Sequence, residues 1–583
     1  MQRSDVILHD GLLTLVNATL TPHDALVEDL LFIRFALDGA GIPFILVRGE
    51  DDSPVIAVDR KHRKALRTAL AAACKNEPFY SKAATRTKDA REPAVLIADG
   101  SLSVDPKARA FTLFRPRIEP KGRLCFGESI GVRVELWEYA ADRIVASEIS
   151  PGETATLVPG DIIAPSPNAL MRHRTPNTDV TPYTVELYGQ KWPTLAGMFD
   201  ELASDLRFDI DIVFSWVDGA ELEWQRIRAR RMESYIIGEG DGSEARFRQL
   251  DELKYALRSV NLFAPWIRNI YIVTDSGAPA WLAEHPRVTI LPSETFFANL
   301  DDLPTHNSHA VESQLHNIPG ISEHFLYSND DMFFGRPVQP GVFFSPGGVS
   351  KFIEAGTRIG MGDSNPARSG FENAARVNRR LLQQKFGKLI TRHLEHAVTP
   401  LRTSVLRELE REFPEDFART GASAFRQATD ISVTNSLYHY YALMTGRAVV
   451  QTDARVKYVD TTMRSGLKAM RTLLKKRSYD FFCLNDGSFP ELSVEDRAAA
   501  VKAFLEDYFP IAAPWEKSAA SSVQQAGESS VAKWAASSVE KAAASGVEKA
   551  AASGVEKAAA SGVDKSAVSG VDKSAVSGVE QAR

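Results

Sequence analysis

Apolar residues gather in short blocks through the middle of the chain, and each block closes on an acidic turn. FDIDIVF, Phe208 to Phe214, gives way to SWVDG at Ser215 to Gly219. IYIV, Ile270 to Val273, gives way to Thr274, Asp275, Ser276 and Gly277. Phe325, Leu326 and Tyr327 lead into Ser328, Asn329, Asp330 and Asp331. Blocks of this kind read as buried strands, and the turns as their ends. Between the first two, LDELKYALRSVNLFAPWI sets Leu250, Leu253, Leu257 and Val260 at helical spacing before Pro265. Strand, helix, strand predicts a βαβ unit, hence an α/β, Rossmann-like parallel sheet with acidic groups collected along one edge. Open sheets of this class bind ligands at that edge.

The first 200 residues carry a different pattern. VEDLLFIRFALDGAGIPFILVRG predicts a helix, a glycine turn and a strand, and PVIAVD with a helix near Lys61 to Ala73 follows. From Ala110, AFTLFRP, GVRVELWEY and ATLVPG are short and punctuated by turns, which predicts an antiparallel sheet within an α+β accessory region. Asp51-Asp52 reads as a plain turn. At the other end, residues 517–583 repeat valine every eight positions, from Val523 to Val579, in units such as AAASGVEK. At about 3.6 residues per helical turn, such a stripe drifts around a helix and forms no continuous seam. A low-complexity tail without a core of its own is expected after the region of acidic turns.

Composition narrows the class. The chain has 583 residues, 25% of them charged, with a formal net charge of −6, so no global basic field marks a nucleic-acid binder. Cys74, Cys125 and Cys483 lie far apart, with neither zinc spacing nor a disulfide framework, as suits a reducing compartment. The start MQRSDVILHDG lacks a long apolar core, and no run is long enough to span a bilayer. A cytoplasmic protein is expected, peripheral to membrane-bound machinery at most.

Chemistry concentrates around Asp330-Asp331. An isolated Asp-Asp is most often a solvated turn, but two carboxylates at a strand end repel unless a cation or donors satisfy them. Mg²⁺ takes such oxygens together with substrate phosphates. Upstream, Ser308 is a helix-capping candidate, with Val311, Leu315 and Ile318 on the apolar side. Glu312 and His316, four apart, would share a face of that helix. Further along, KFGKLITRHLEH reads as helical up to the Pro400 break, which leaves His393 and His396 as acid/base candidates of similar standing.

These strings carry a resemblance. SWVDG, RFRQLDELKYALRSVNLFAPWIRNIYIVTDSGAPAWL, LPTHNSHAVESQLHNIPGISEHFLYSNDDMFFGRPV, VNRRLLQQKFG with HLEHAVTPLRTSVLRELEREFPEDFARTGASAFRQATDIS, and YDFFCLNDGSFPE with FLEDYFPIAAPWE resemble, in order, the conserved regions of the Stealth family. That family holds bacterial capsule and exopolysaccharide phosphotransferases and the catalytic subunit of animal N-acetylglucosamine-1-phosphotransferase. The resemblance runs from about residue 206 to 516 and implies a sugar-phosphate transferase domain there, with a catalytic set of Glu312, Asp331, His396 and Arg426. Glu312 lies 19 positions before Asp331, as does the matching active-site Glu of the animal enzyme. It favours His396 over His393, and it implies Asp330 and Asp331 as ligands of Mg²⁺ or Mn²⁺. Asp218, Asp275, Arg368, Asn485 and Asp486 are the expected nucleotide-side residues.

Carboxylates for a divalent ion, an Arg for phosphate charge and a His for proton transfer suit attack on a pyrophosphate. The resemblance implies the partners: a nucleotide-sugar donor and a polysaccharide or oligosaccharide acceptor, with sugar-1-phosphate transferred. A metal-dependent glycosyltransferase and a non-catalytic polysaccharide-assembly protein are the alternatives. The proton acceptor stays open between His396 and a carboxylate.

Overall fold

The computed structural model describes residues 3–84, 93–140, 145–150, 153–219, 250–487 and 490–517. The repeat tail lies outside them, apart from its first residue. Toward the N-terminus, helix α1 (Pro22–Gly39) begins at a capping box in which Thr21 and Asp24 satisfy each other's backbone N–H groups. Strands β1 (Phe44–Arg48) and β2 (Pro54–Asp59), helix α2 (Arg63–Ala73), and strands β3 (Ala110–Phe114) and β4 (Val132–Tyr139) follow. The expected antiparallel sheet is mixed: β4 pairs antiparallel with β3 but parallel with β2. The long chain between β2 and β4 supplies the crossover that a parallel pair requires. Asp51-Asp52 is a turn, with Asp52 paired to Arg48 at 2.6 Å and Asp51 accepting from Ser53.

The central sheet has five strands: β5 (Ile210–Ser215), β6 (Ile270–Val273), β7 (Val288–Leu291), β8 (His324–Asn329) and β11 (Thr399–Arg402), in the order β7-β6-β5-β8-β11. The first four are parallel, and β11 returns antiparallel to β8. Helix α3 (Glu252–Phe263) connects β5 to β6 and ends just before Pro265, as the spacing predicts. Side-chain alternation assigns the two faces. Ile212, Phe214, Ile270, Ile272 and Leu326 join Leu253, Leu257 and Val260 of α3 in one core. Val213, Tyr271, Val273, Phe325 and Tyr327 pack with Leu315, Ile318 and Tyr438 in another. Burial on both faces explains why these strands read as continuous apolar runs.

Two expectations about helices are corrected. The helix after Leu303-Pro304 is a short α4 (Ser308–Glu312), capped by Asn307 rather than Ser308, and a 3₁₀ turn follows at Leu315–Asn317. The change of pitch separates Glu312 from His316, whose Nε2 meets Glu410 at 2.9 Å. KFGKLITRHLEH is not helical throughout either. Helix α5 (Gly370–Phe386) stops because Gly387 adopts a φ of +68°, the left-handed conformation of a helix C-cap. The chain then forms strand β10 (Arg392–Leu394) and turns through His396 into β11.

Beyond β8, strand β9 (Met332–Phe334) leaves the central sheet and pairs with β13 (Phe481–Asn485), which also pairs with β12 (Val456–Asp460). Helix α6 (Val494–Tyr508) covers this second sheet with Val501, Phe504 and Leu505. The N-terminal part packs on the same body: Arg48 pairs with Asp205, Arg123 reaches Asp507 at 2.8 Å, and Leu124 joins the core that contains α3. No helix among the described residues is long and apolar enough to cross a membrane.

At the edge of the central sheet opposite the acidic turns, fully buried Asp211 accepts from Arg268 Nε (2.9 Å) and Nη2 (2.6 Å) and from the backbone N–H groups of Asn269 and Ser322. One carboxylate thus fixes β5 against the starts of β6 and β8. Asp211→Ala should lower the free energy of unfolding by about 3 kcal/mol, because it strands these donors. Urea unfolding of the full chain measures this, and a loss below about 0.5 kcal/mol would be inconsistent with the clamp.

Candidate functional site

The reversal at β11 builds the site. Tyr327 pairs with Thr399 across β8 and β11, so the turn preceding Thr399 reaches the residues that follow β8. His396 consequently meets Asp331, with Nε2 3.5 Å from Oδ2, an ion-pair distance longer than a hydrogen bond. A second register supplies the other side. Met332 pairs with Cys483 across β9 and β13, and the Leu484 N–H donates to the Asp331 carbonyl at 3.0 Å. Cys483 Sγ donates to Asp331 Oδ2 at 3.2 Å, and Asn485 Nδ2 to the same oxygen at 3.3 Å. Asp331 Oδ1 is buried with no hydrogen-bond partner among the described residues. The site is not sealed, since the Asp331 and His396 side chains retain 21% and 27% of their exposure.

Glu312 and Arg426 border this pair. Glu312 is buried, and its Oε2 accepts from Thr434 Oγ1 at 2.8 Å, with longer contacts to the Thr434 N–H and Ser432 Oγ. Both partners flank the start of a π-helical turn, Val433–Leu437, a geometry that recurs at functional sites. Arg426 Nη2 donates to Ser308 Oγ at 2.7 Å, and its charge is felt at both Glu312 and His396. Asp430 ties the two segments together by accepting from Asn307 Nδ2, the Gln427 N–H and Ser423 Oγ.

Burial and charge oppose each other at the central pair. Burial alone would raise the Asp331 pKa, but His396, Cys483 and Asn485 hold it below the usual carboxylate range. Burial would lower the His396 pKa, yet Asp331 outweighs it and raises the imidazole above its ordinary value. Glu312 is raised by burial against the opposing pull of Thr434 and Arg426. Burial also keeps the Cys483 thiol protonated, with the neighbouring Asp331 charge adding to the effect.

Other expected residues stand in varied relations to this group. Asp330 occupies the same turn, half-buried. The Asp218 N–H donates to Ser276 Oγ at 2.9 Å, joining the turns after β5 and β6. Both oxygens of Asp275 are taken by Ser293, at 2.7 and 2.8 Å, which makes it a strut between β6 and the turn after β7. Asp486 is engaged by Thr461 and Arg497. Arg368 lies in the turn before α5, its backbone held by Asn365 and Asn373. His393 is buried, stacked on Phe371 at 4.7 Å and lowered in pKa by that burial.

Sequence reasoning misses Cys483, Thr434 and Glu252. Cys483 reads there only as an isolated cysteine, and strand register is what brings it to Asp331. Buried Glu252 opens α3 and accepts from the Leu250 N–H at 2.6 Å. Burial pushes its pKa up to about 7, and the field of Asp331 contributes. Among the described residues, one group of three offers metal-ligand atoms close together: Asp331, His396 and Cys483.

The pH dependence of the pair has a definite sign. Asp331, lowered in the fold, contributes stability above its unfolded pKa and loses it as pH falls through the folded value. His396, raised in the fold, contributes below its unfolded pKa and loses this as pH rises through the folded value. The charged pair therefore persists between the two folded values. By NMR, His396 should titrate above the ordinary 6.5 and shift downward in Asp331→Asn, whereas His393 should titrate below it. A His396 midpoint that Asp331→Asn leaves unmoved would disprove the coupling.

Four family descriptions match in order: Stealth protein conserved region 1 at 208–236, region 2 at 246–352, region 3 at 395–443 and region 4 at 471–525. The chain is 56% identical over 516 residues to exopolysaccharide phosphotransferase CpsY of Mycobacterium tuberculosis, covering 88% of this chain and 93% of that one. It is 51% identical over 507 residues to an exopolysaccharide phosphotransferase of Nocardia farcinica, covering 87% and 90%. Among solved structures, the galactosyltransferase LgtC aligns with a TM-score of 0.27 and 12% identity, over 52% of this chain and 96% of that one, below the level of a shared global fold. The Asp331–His396 contact joins the second conserved region to the third, and Cys483 and Asn485 bring in the fourth; the chain belongs to the Stealth family.

Proposed function

We propose that this chain transfers a sugar-1-phosphate from a nucleotide-diphosphate sugar to a hydroxyl of a growing polysaccharide, forming the phosphodiester links of a capsule or exopolysaccharide. The observation that carries this reading is the Asp331–His396 pair at the C-terminal edge of a parallel sheet, with Arg426 and Glu312 beside it. The reading assigns the sheet a Rossmann-like role in holding the nucleotide, in the cytoplasm or at the inner face of the membrane.

The acceptor hydroxyl oxygen attacks the phosphorus attached to the donor sugar. Its proton passes to His396 in the neutral form, which prevails above its raised pKa, and Asp331 stabilises the imidazolium that forms. The bond from phosphorus to the bridging oxygen breaks, and nucleoside monophosphate leaves. Arg426, fixed by Ser308, faces the non-bridging phosphate oxygens, where a guanidinium forms paired charged hydrogen bonds. Glu312, held by Thr434, orients the acceptor hydroxyl or Arg426.

Asp331 Oδ1, without a donor among the described residues, and the neighbouring Asp330 fit Mg²⁺ or Mn²⁺, which bind through one or two carboxylates together with substrate phosphates. When bound, such an ion neutralises pyrophosphate charge.

Incubating the full chain with nucleotide sugars, a polysaccharide acceptor and Mg²⁺ or Mn²⁺ should release nucleoside monophosphate. Release of diphosphate would instead mean sugar transfer at the anomeric carbon and overturn the reading. His396→Ala should cut turnover by about 10²-fold or more, the range for loss of a general acid/base, while His393→Ala should change it little.

A further inference from the structure

The two oxygens of Asp331 face different chemistry. Among the described residues Oδ1 has no donor, whereas Oδ2 lies 3.2 Å from Cys483 Sγ and 3.5 Å from His396 Nε2. The three potential ligand atoms lie within 4.8 Å of one another. A zinc-class ion binds sulfur at about 2.3 Å and nitrogen or oxygen at about 2.0–2.1 Å, so tetrahedral ligands stand roughly 3.3–3.6 Å apart. By those bond lengths an N–O edge of a tetrahedral site spans about 3.3 Å and an S–O edge about 3.5 Å, so the observed 3.5 and 3.2 Å require adjustments of about 0.2 and about 0.3 Å, respectively. Oxygen, nitrogen and sulfur together do not suit Mg²⁺, which keeps to oxygen ligands, but they do suit the borderline-soft divalent ions.

We propose that Asp331, His396 and Cys483 form a binding site for a divalent cation of the zinc class, and that filling it switches the enzyme off. Binding joins the ion to the Cys483 sulfur, to His396 Nε2 and to Asp331 Oδ2, with loss to solvent of the thiol proton and of the Nε2 proton where the imidazole is charged. The carboxylate and thiolate together balance the ion's charge, so the partly buried site becomes neutral. The fourth position faces the open side, where both Asp331 and His396 retain exposure. The ion occupies a different oxygen of Asp331 from the one available to Mg²⁺, yet it removes the nitrogen on which His396 and Asp331 communicate. The inhibitory half of the proposal rests on the catalytic roles assigned above; the binding half does not.

Cobalt distinguishes this site from other thiols, because a thiolate–Co²⁺ bond gives a charge-transfer band in the near ultraviolet. Cys125 is the competing thiol, exposed and 3.7 Å from His9 Nε2. The metal-free full chain, titrated with Co²⁺ in excess Mg²⁺, should develop the band at one equivalent and lose it to Zn²⁺. Cys125→Ala should keep the band and Cys483→Ala should abolish it, with circular dichroism verifying that the buried substitution folds. His396→Ala, on the open side, should weaken Co²⁺ binding by at least about 10-fold, the scale of losing support at a metal site. Absence of the band, its survival in Cys483→Ala, or unchanged Co²⁺ affinity in His396→Ala would each overturn the site. Micromolar Zn²⁺ should also stop turnover in excess Mg²⁺, and full activity with the site occupied would remove the inhibitory role. If no nucleotide sugar supports turnover while the band forms, the proposed function fails and the site stands. Turnover without the band removes the site and leaves the proposed function in place.

Discussion

The antiparallel return of β11 along β8 is the constraint on which the site depends. In a purely parallel sheet only the turns that leave strands lie at that edge, and an antiparallel strand is needed to place there a turn that enters one. Pairing Tyr327 with Thr399 does so, and it sets His396 against Asp331 by register rather than by proximity in sequence. A slip of one residue would turn every side chain of β11 to the other face. Leu401 and Pro400 would exchange environments, and the His396 turn would miss the carboxylate. The apolar core that contains Leu401, Phe325 and Val405 therefore helps to fix the Asp331–His396 geometry.

The same logic extends outward. Asp331 is held on its second side by the register of β9 with β13, so its carboxylate is supported from two sheets that meet at one turn. Glu312 depends on the π-helical turn at Val433–Leu437, which Asn378 of α5 secures by donating to the Ser432 carbonyl and Ser436 Oγ. Arg426 depends on Ser308 and, through the loop that Asp430 organises, on Asn307. Each charged group is thus fixed by neutral hydrogen-bond partners on a different segment. A buried carboxylate or guanidinium without such partners would carry a desolvation cost of several kcal/mol.

What is legible in the sequence follows from the range of the interactions involved. Ile270–Val273 and α3 are readable because apolar runs and helical spacing are local, and both faces of the sheet are covered. The acidic turns after β5, β6 and β8 are readable for the same reason. Gly387 marks the end of α5, but charged residues beyond it at helical spacing suggest continuation. Glu312 and His316 mislead because a short α-turn followed by a 3₁₀ turn breaks the four-residue relation. Cys483 is hidden entirely: nothing in its neighbours indicates that Met332 will lie opposite it. Asp275 shows the reverse case, an acidic turn residue whose position resembles the others but whose two oxygens are committed to Ser293.

The central claim is that Asp331 and His396 act as one catalytic unit, and a double-mutant cycle on kcat/KM tests it most directly. Groups that act through each other lose their effect together, so removing the second costs little once the first is gone. Asp331→Asn, His396→Ala and the double variant should be compared on the same nucleotide sugar and acceptor. One coupled unit predicts a double variant no more than a few-fold slower than the worse single one. Losses that multiply would show two independent roles and contradict it.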